Sequence, residues 1–162
     1  MVKISTTDFQ GSEFSVVYDT QLIFSGFFSS KELSSDVKSL NPILDSATLA
    51  KEICMWYEES VDRQLPLPMK LKGTPFQTKV WNAISKIPKG QTLTYTQLAE
   101  TIQRPSAIRA AGTACGKNPL SLIIPCHRVR GVTALGGYRW GLSLKEALLK
   151  YESVGSKSVA QL

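Results

Sequence analysis

Cys126 and His127 stand side by side behind Pro125, with Arg128 next in line, and His127 is the only histidine of the chain. A thiol beside an imidazole in a basic stretch is a candidate nucleophile: the base takes the thiol proton and nearby positive charge favours the thiolate. Neighbours on a regular strand point to opposite faces. His127 therefore serves Cys126 only if the chain turns there, as Pro125 allows, or if a water bridges the two. Buried cysteines more often just fill space, so the pair alone leaves a structural and a chemical role both open.

The other cysteines, Cys54 and Cys115, make an odd count with no CxxC spacing. That excludes a disulfide framework or a zinc knuckle, and a single histidine cannot complete a typical Cys and His zinc site. No metal and no cofactor are expected.

The elements that must position Cys126 are well punctuated. Leu120 to Ile124 is an apolar run fit for a buried strand, closed by Pro125, which would deliver Cys126 at its end. Upstream, Thr74-Pro75-Phe76-Gln77 is a capping box with proline at the first helical position. It opens a helix whose stripe is Phe76, Val80, Ile84 and Ile87, and Pro88 ends it. A second box, Thr94-Tyr95-Thr96-Gln97, opens a short helix to Ile102. After the turn at Gln103 to Pro105, Ser106 can cap a third helix to Cys115, stopped by Gly116 and Pro119. That third helix is thin, with Ala107, Ala110, Ala111, Gly112 and Ala114. It suits close approach to a backbone or narrow groove, or close packing in a core, rather than detailed base reading. A third box, Ser143 to Glu146, opens a final helix through Glu152.

In the first half, Glu13 to Tyr18 and Leu22 to Phe28 read as a hairpin turning at Asp19 to Gln21, and Thr48 to Glu59 as a helix. The stretch Gln64 to Gly73, with Pro66 and Pro68, is the boundary. The expected fold is an α/β amino-terminal domain over 1–68, an antiparallel sheet plus helix. A mostly helical domain follows over 69–155 with a helix-turn-helix of winged-helix kind, then a disordered tail over 156–162.

Charge divides the chain at the same place. Residues 1–68 hold five Lys and Arg against ten Asp and Glu, a balance of −5, whereas 69–162 hold fourteen against three, or +11. A basic second half on an acidic support is the footprint of a polyanion-binding unit. No signal-peptide pattern and no apolar run of membrane-spanning length occurs, so an intracellular protein with no membrane partner is expected, cytoplasmic or, in a eukaryote, nuclear.

The run Ile124-Pro125-Cys126-His127-Arg128-Val129, with the order of motifs from Thr74 to Ser153, resembles the O6-alkylguanine-DNA alkyltransferases. The resemblance implies direct-reversal repair: an alkyl group moves from O6 of guanine, and also from O4 of thymine, irreversibly onto Cys126. His127 is then the base through a water and Glu152 the carboxylate that orients it. Tyr95 donates a hydrogen bond to the guanine and presses on the phosphate beside the flipped nucleotide. Arg109, within Ile108-Arg109-Ala110, fills the space the base leaves. Other DNA-facing positions are Thr94, Gln97, Ala110 and Thr113, together with Lys117 and Arg128. The pocket is formed by Tyr95, Asn118, which ties the recognition helix to the active-site strand, Val129, whose carbonyl accepts from the guanine amino group, and Tyr138 and Arg139 of the closing loop. Arg139 stands where some members carry serine, and Ser121 where vertebrate members carry proline. The implied partner is double-stranded DNA carrying O6-alkylguanine, bound by a monomer able to act cooperatively. A binding-only relative would lack the cysteine, and a cysteine hydrolase would place a histidine elsewhere in the chain.

Overall fold

Gln10 and Gly11 both take positive φ, 53° and 72°, which lets the chain reverse in two residues as a type I′ hairpin does. The turn joins strand β1 (Lys3–Phe9) to β2 (Ser12–Tyr18), antiparallel with Phe9 opposite Ser12. The sequence reading missed this strand because its serines, threonines and aspartate lack a clean two-residue alternation. The predicted hairpin is present as β2 and β3 (Ile23–Phe28), where the Asp19 carboxylate accepts from the amides of Gln21 and Leu22 at 2.8 and 2.9 Å. Strand β4 (Ile43–Leu44) lies parallel to β1, giving the order β3-β2-β1-β4. Helix α1 (Thr48–Glu59) has the predicted bounds. Its Leu49, Ile53 and Tyr57 are buried, and Tyr57 meets Phe9 edge-on at 5.5 Å between ring centroids.

The structure, a computed structural model, describes residues 1–28, 43–59, 65 and 68–158. The chain divides into two units, Met1–Lys72 with Pro119–Ile123, and Gly73–Asn118 with Ile124–Leu162. Of the predicted linker, Gln64, Pro66 and Leu67 lie outside the described residues.

The apolar run at Leu120 to Ile124 is buried, yet it is not a strand. Only Leu120 makes an isolated bridge, to Gly26, and Leu122 turns the chain with φ at 73°. The segment lies against the outer edge of β3, where the Gly26 amide donates to the Pro119 carbonyl at 3.0 Å and the Ser121 amide to the Gly26 carbonyl at 2.8 Å. A short apolar run carries no period that separates a buried strand from a buried turn.

In the second unit, α2 (Pro75–Ile84) carries the full capping box of Thr74 and Gln77 and stops short of Ile87, which is buried in the turn that follows. The Trp81 indole donates to the Ala114 carbonyl at 2.8 Å and fixes α2 to the later helix α4 (Ile108–Gly116). Strand β5 (Leu93–Thr94) runs into α3 (Tyr95–Thr101), capped reciprocally by Thr94 and Gln97. Between α3 and α4, Gln103 takes φ of 56°. Ser106 does not cap α4: its N-cap is Ala107, with no side-chain bond. A single 3-10 turn (Cys126–Arg128) leads into β6 (Val129–Arg130), parallel to β5 with Leu93 opposite Val129. Helix α5 (Leu142–Ser158) begins one residue before Ser143, after Gly141 at φ 97°, so Ser143 lies inside it. The helix passes Glu152 and takes in residues 156–158, where the tail was expected; 159–162 lie outside the described residues.

Candidate active site

Pro125, at φ −80° and ψ 66°, breaks the extended direction of the chain, and the Cys126 amide donates to the Ile124 carbonyl at 2.8 Å. The following residues close a 3-10 turn, with the Arg128 amide on the Pro125 carbonyl at 2.9 Å. Cys126 and His127 therefore escape the alternation of a strand, and both are buried.

Two neighbours meet Cys126 from the end of α4. The Asn118 amide nitrogen donates to the Ile124 carbonyl at 2.8 Å and to Cys126 Sγ at 3.2 Å. Asn118 thereby ties α4 to the turn that presents the thiol. The Cys115 thiol lies 3.9 Å from the Cys126 carbonyl. The Cys126 thiol is held below its ordinary pKa: hydrogen bonding from Cys115, then from Asn118, and the charge of Lys145 together outweigh burial. Cys115 is pushed well above the ordinary value by that same bond and by burial.

His127 Nε2 sits 2.8 Å from Glu152 Oε1, and neither side chain reaches solvent. Burial lowers the imidazole pKa against the opposing pull of Glu152, so the ring is neutral near neutrality and able to accept a proton. Burial raises the Glu152 pKa, but hydrogen bonds from His127 and Arg128 win, and it stays ionised well below the usual carboxylate range. The rest of the carboxylate is satisfied by Arg128 Nε at 3.0 and 3.1 Å, Arg128 Nη2 at 2.8 Å, and the Gly90 amide at 3.2 Å.

Arg128 thus differs from the DNA contact expected of it. Its guanidinium is turned inward onto Glu152 and the Ile87 carbonyl, the latter at 2.6 Å, and the residue is 8% exposed. A buried carboxylate needs a charged partner, and the position after His127 supplies it.

Tyr95 opens α3 half-buried between two glycines. A Cβ on Gly112 would sit 3.6 Å from the Tyr95 ring. One on Gly136, where φ is 70°, would come within 2.9 Å of Tyr95 Cε2 and 3.1 Å of its hydroxyl. Burial and the thiols of Cys115 and Cys126 raise the Tyr95 pKa, so it remains a protonated hydroxyl, a donor. Val129 is fully buried, and the His127 and Tyr138 rings meet edge-on at 6.4 Å. Arg139 is exposed, its guanidinium 4.9 Å over the Trp140 ring.

Arg109, Ala110 and Thr113 lie exposed on α4, and Lys117 lies exposed at its C-cap. Arg109, Ala110 and Thr113 line an open hollow of about 560 Å³ whose other wall includes Thr74, Phe76 and Gln77. Thr94 and Gln97 spend their side chains on each other's backbone amides. The sequence reading missed Cys115, Gly90 and above all Lys145. That lysine is fully buried on α5, and a lysine flanked by leucine and glutamate in a helical pattern carries no sign of it. Among the described residues no cluster of His, Cys, Asp and Glu could hold a metal ion. What the arrangement can do is present a thiol held below its ordinary pKa beside a neutral imidazole backed by a carboxylate, in a setting suited to attack on a carbon electrophile.

Residues 75–154 match the family described as 6-O-methylguanine DNA methyltransferase, DNA binding domain. The chain is 37% identical over 144 residues to the methylated-DNA--protein-cysteine methyltransferase of Saccharomyces cerevisiae, covering 85% of this chain and 76% of that one. It is 52% identical over 93 residues to the bifunctional transcriptional activator/DNA repair enzyme Ada of Escherichia coli, covering 57% of this chain and only 26% of that protein. The chain thus matches about a quarter of the length of such bifunctional relatives. Among solved structures it is similar to the Mycobacterium tuberculosis O6-methylguanine methyltransferase, with TM-score 0.81 and 30% identity over 95% of this chain and 94% of that one. The same mycobacterial protein in complex with DNA matches with TM-score 0.80 at 29% identity, over 94% of this chain and 93% of that one.

Proposed function

The chain belongs to the O6-methylguanine DNA methyltransferase family, and on that premise we propose that it repairs DNA by direct reversal. It takes a methyl or other alkyl group from O6 of guanine, and from O4 of thymine, onto Cys126. The observation that carries this reading is a buried thiol held below its ordinary pKa beside an imidazole fixed on a buried carboxylate.

The alkyl carbon on O6 is saturated, so it yields to in-line attack by a soft nucleophile. The thiolate sulfur forms the new bond to carbon as the bond from carbon to O6 breaks, and its electron pair leaves on guanine. With Nε2 committed to Glu152, the thiol proton goes to His127 Nδ1, through a water. Arg128 keeps Glu152 ionised and the ring oriented. Tyr95, held protonated, donates a hydrogen bond to the departing guanine, and the proton that His127 took from the thiol returns through water to neutralise the guanine anion. The product is a thioether, a poor leaving group, so one protein repairs one lesion. The balance needs no metal and no cofactor.

Inside a duplex the carbon is out of reach, and rotating the nucleotide out costs a few kcal/mol. We read α3, its turn and α4 as a helix-turn-helix in which the thin face at Ala110 and Gly112 lets the backbone approach a minor groove. Arg109 fills the space left by the base, and Lys117 and Thr113 meet phosphates. Tyr138 and Arg139 belong to the loop that closes over the base, with Val129 on the pocket floor. The first unit is the support. A duplex carrying O6-methylguanine with a labelled methyl tests this: label is expected on the Cys126 peptide, and none on a Cys126→Ser variant. Label on another residue, or released as methanol, would sink it.

A further inference from the structure

Lys145 is the one fully buried lysine among the described residues, and its surroundings are unusual for an ammonium. Its Nζ donates to the carbonyls of Val129 at 2.6 Å, Leu135 at 2.6 Å and Gly137 at 3.1 Å. Those three acceptors spend all three of its protons. Among the described residues no carboxylate pairs with it. An ammonium in this position has given up water without gaining an anion, a costly arrangement unless something nearby supplies negative charge.

We propose that Lys145 is a positioning residue that holds the segment from Val129 to Gly137 by its three carbonyls and brings a positive charge to the end of the turn that carries Cys126, where it favours ionisation of the thiol. The inference rests on the reading of Cys126 as the nucleophile. It assigns to α5 a second task beside carrying Glu152.

Val129 ends the 3-10 turn that carries Cys126, whereas Leu135 and Gly137 flank Gly136, where an added Cβ would come within 2.9 Å of the Tyr95 ring. One ammonium thus joins the strand behind the nucleophile to the glycine that abuts the tyrosine. Its bond also occupies one of the two lone pairs of the Val129 carbonyl and leaves the second for a base.

Of the titratable groups around the thiol, Arg128 and Glu152 are charged but paired with each other. Cys115 on α4 and Tyr95 on α3 are both raised and stay neutral, and His127 is neutral. Before the thiol proton moves to His127, Lys145 on α5 is therefore the positive charge that favours ionisation of Cys126, and the two thiols in turn oppose the loss of its proton that burial promotes. Alkylation turns the thiolate into a neutral thioether and removes that balance.

The test uses the full chain and iodoacetamide, so it does not depend on DNA or on a methylated base. Carboxamidomethylation of Cys126 is followed by peptide mass against pH, and hydrogen exchange of amides 131–140 is measured in parallel. Lys145→Met is expected to move the pH midpoint of Cys126 labelling upward by about one unit, ~10-fold less thiolate at neutral pH, and to speed loop exchange by about tenfold. The exposed Lys150→Met on the same helix is expected to move neither. Should Lys145→Met fail to fold, Lys145→Arg decides: the retained charge should keep the midpoint, while the planar guanidinium, unable to reproduce three converging bonds, should loosen the loop. A folded Lys145→Met with midpoint and exchange unchanged overturns the proposal, as does Lys145→Arg with loop exchange unchanged. Failure of the wild type to take a methyl group from DNA would instead strike the repair reading and leave these readings standing.

Discussion

Replacing Glu152 by glutamine removes one charge and little volume, so the consequence can be worked from the five hydrogen bonds the carboxylate accepts. A glutamine amide keeps one oxygen. Its NH2 faces either Arg128, which cannot accept from it, or His127, which can accept only by moving its proton to Nδ1, and the Arg128 guanidinium is left buried without an anion. Removing one member of a buried ion pair costs about 3–5 kcal/mol. Since Glu152 is ionised in the fold well below its ordinary pKa, its contribution is fully present above about pH 4.3, the unfolded value. It is lost as pH falls toward the folded value. Urea unfolding of Glu152→Gln should therefore show a loss of about 3–5 kcal/mol at pH 7 that narrows below about pH 4. The transfer rate should fall by about 100-fold or more, as for loss of an oriented base, with DNA affinity nearly unchanged. A variant within about 1 kcal/mol of wild type at pH 7, or a gap that widens in acid, would refute the buried-network reasoning.

Three further substitutions probe separate parts of the site. Asn118→Ala loses the bonds to Ile124 and Cys126 and should cost about 1–3 kcal/mol of stability; iodoacetamide labelling of Cys126 near neutrality should slow by about tenfold, while Cys54, its thiol pushed up to about 12 by burial, stays unlabelled in both proteins. Gly136→Ala combines φ of 70° with a Cβ 2.9 Å from Tyr95, so it should cost about 1–3 kcal/mol and displace the tyrosine; an unchanged transfer rate would remove Tyr95 from the reaction. Arg109→Ala, at saturating DNA, should slow repair in duplex by about tenfold or more, a loss of ~1.4 kcal/mol against flipping. Reaction with free O6-alkylguanine base should hardly change, and equal slowing of both would assign Arg109 a structural role.

Much of this site can be read from the sequence because capping boxes and breakers are local. Thr74 with Gln77, and Thr94 with Gln97, mark two helix starts that the structure has, and the run from Pro125 to Val129 carries the resemblance that points to Cys126 as nucleophile and His127 as base. Glu152 was reached through the family resemblance rather than spacing. What stayed hidden depends on tertiary partners. Arg128 reads as one more basic residue of a basic half, and only the buried Glu152 turns it inward. Lys145 reads as a helix-surface lysine until the carbonyls of Val129, Leu135 and Gly137 converge on it. Leu120 to Ile124 looks like a strand because burial is visible in composition, whereas the positive φ of Leu122 is not. The same holds for β1, whose pairing with β2 is set by the turn at Gln10 and Gly11.

The central claim, irreversible transfer to Cys126, is met most directly by intact mass after incubation with an excess of duplex carrying O6-methylguanine. A gain of a single methyl group per protein is expected, and then no further loss of lesion, however great the excess. Continued disappearance of lesion beyond one per protein, or lesion loss with no gain in mass, would contradict it.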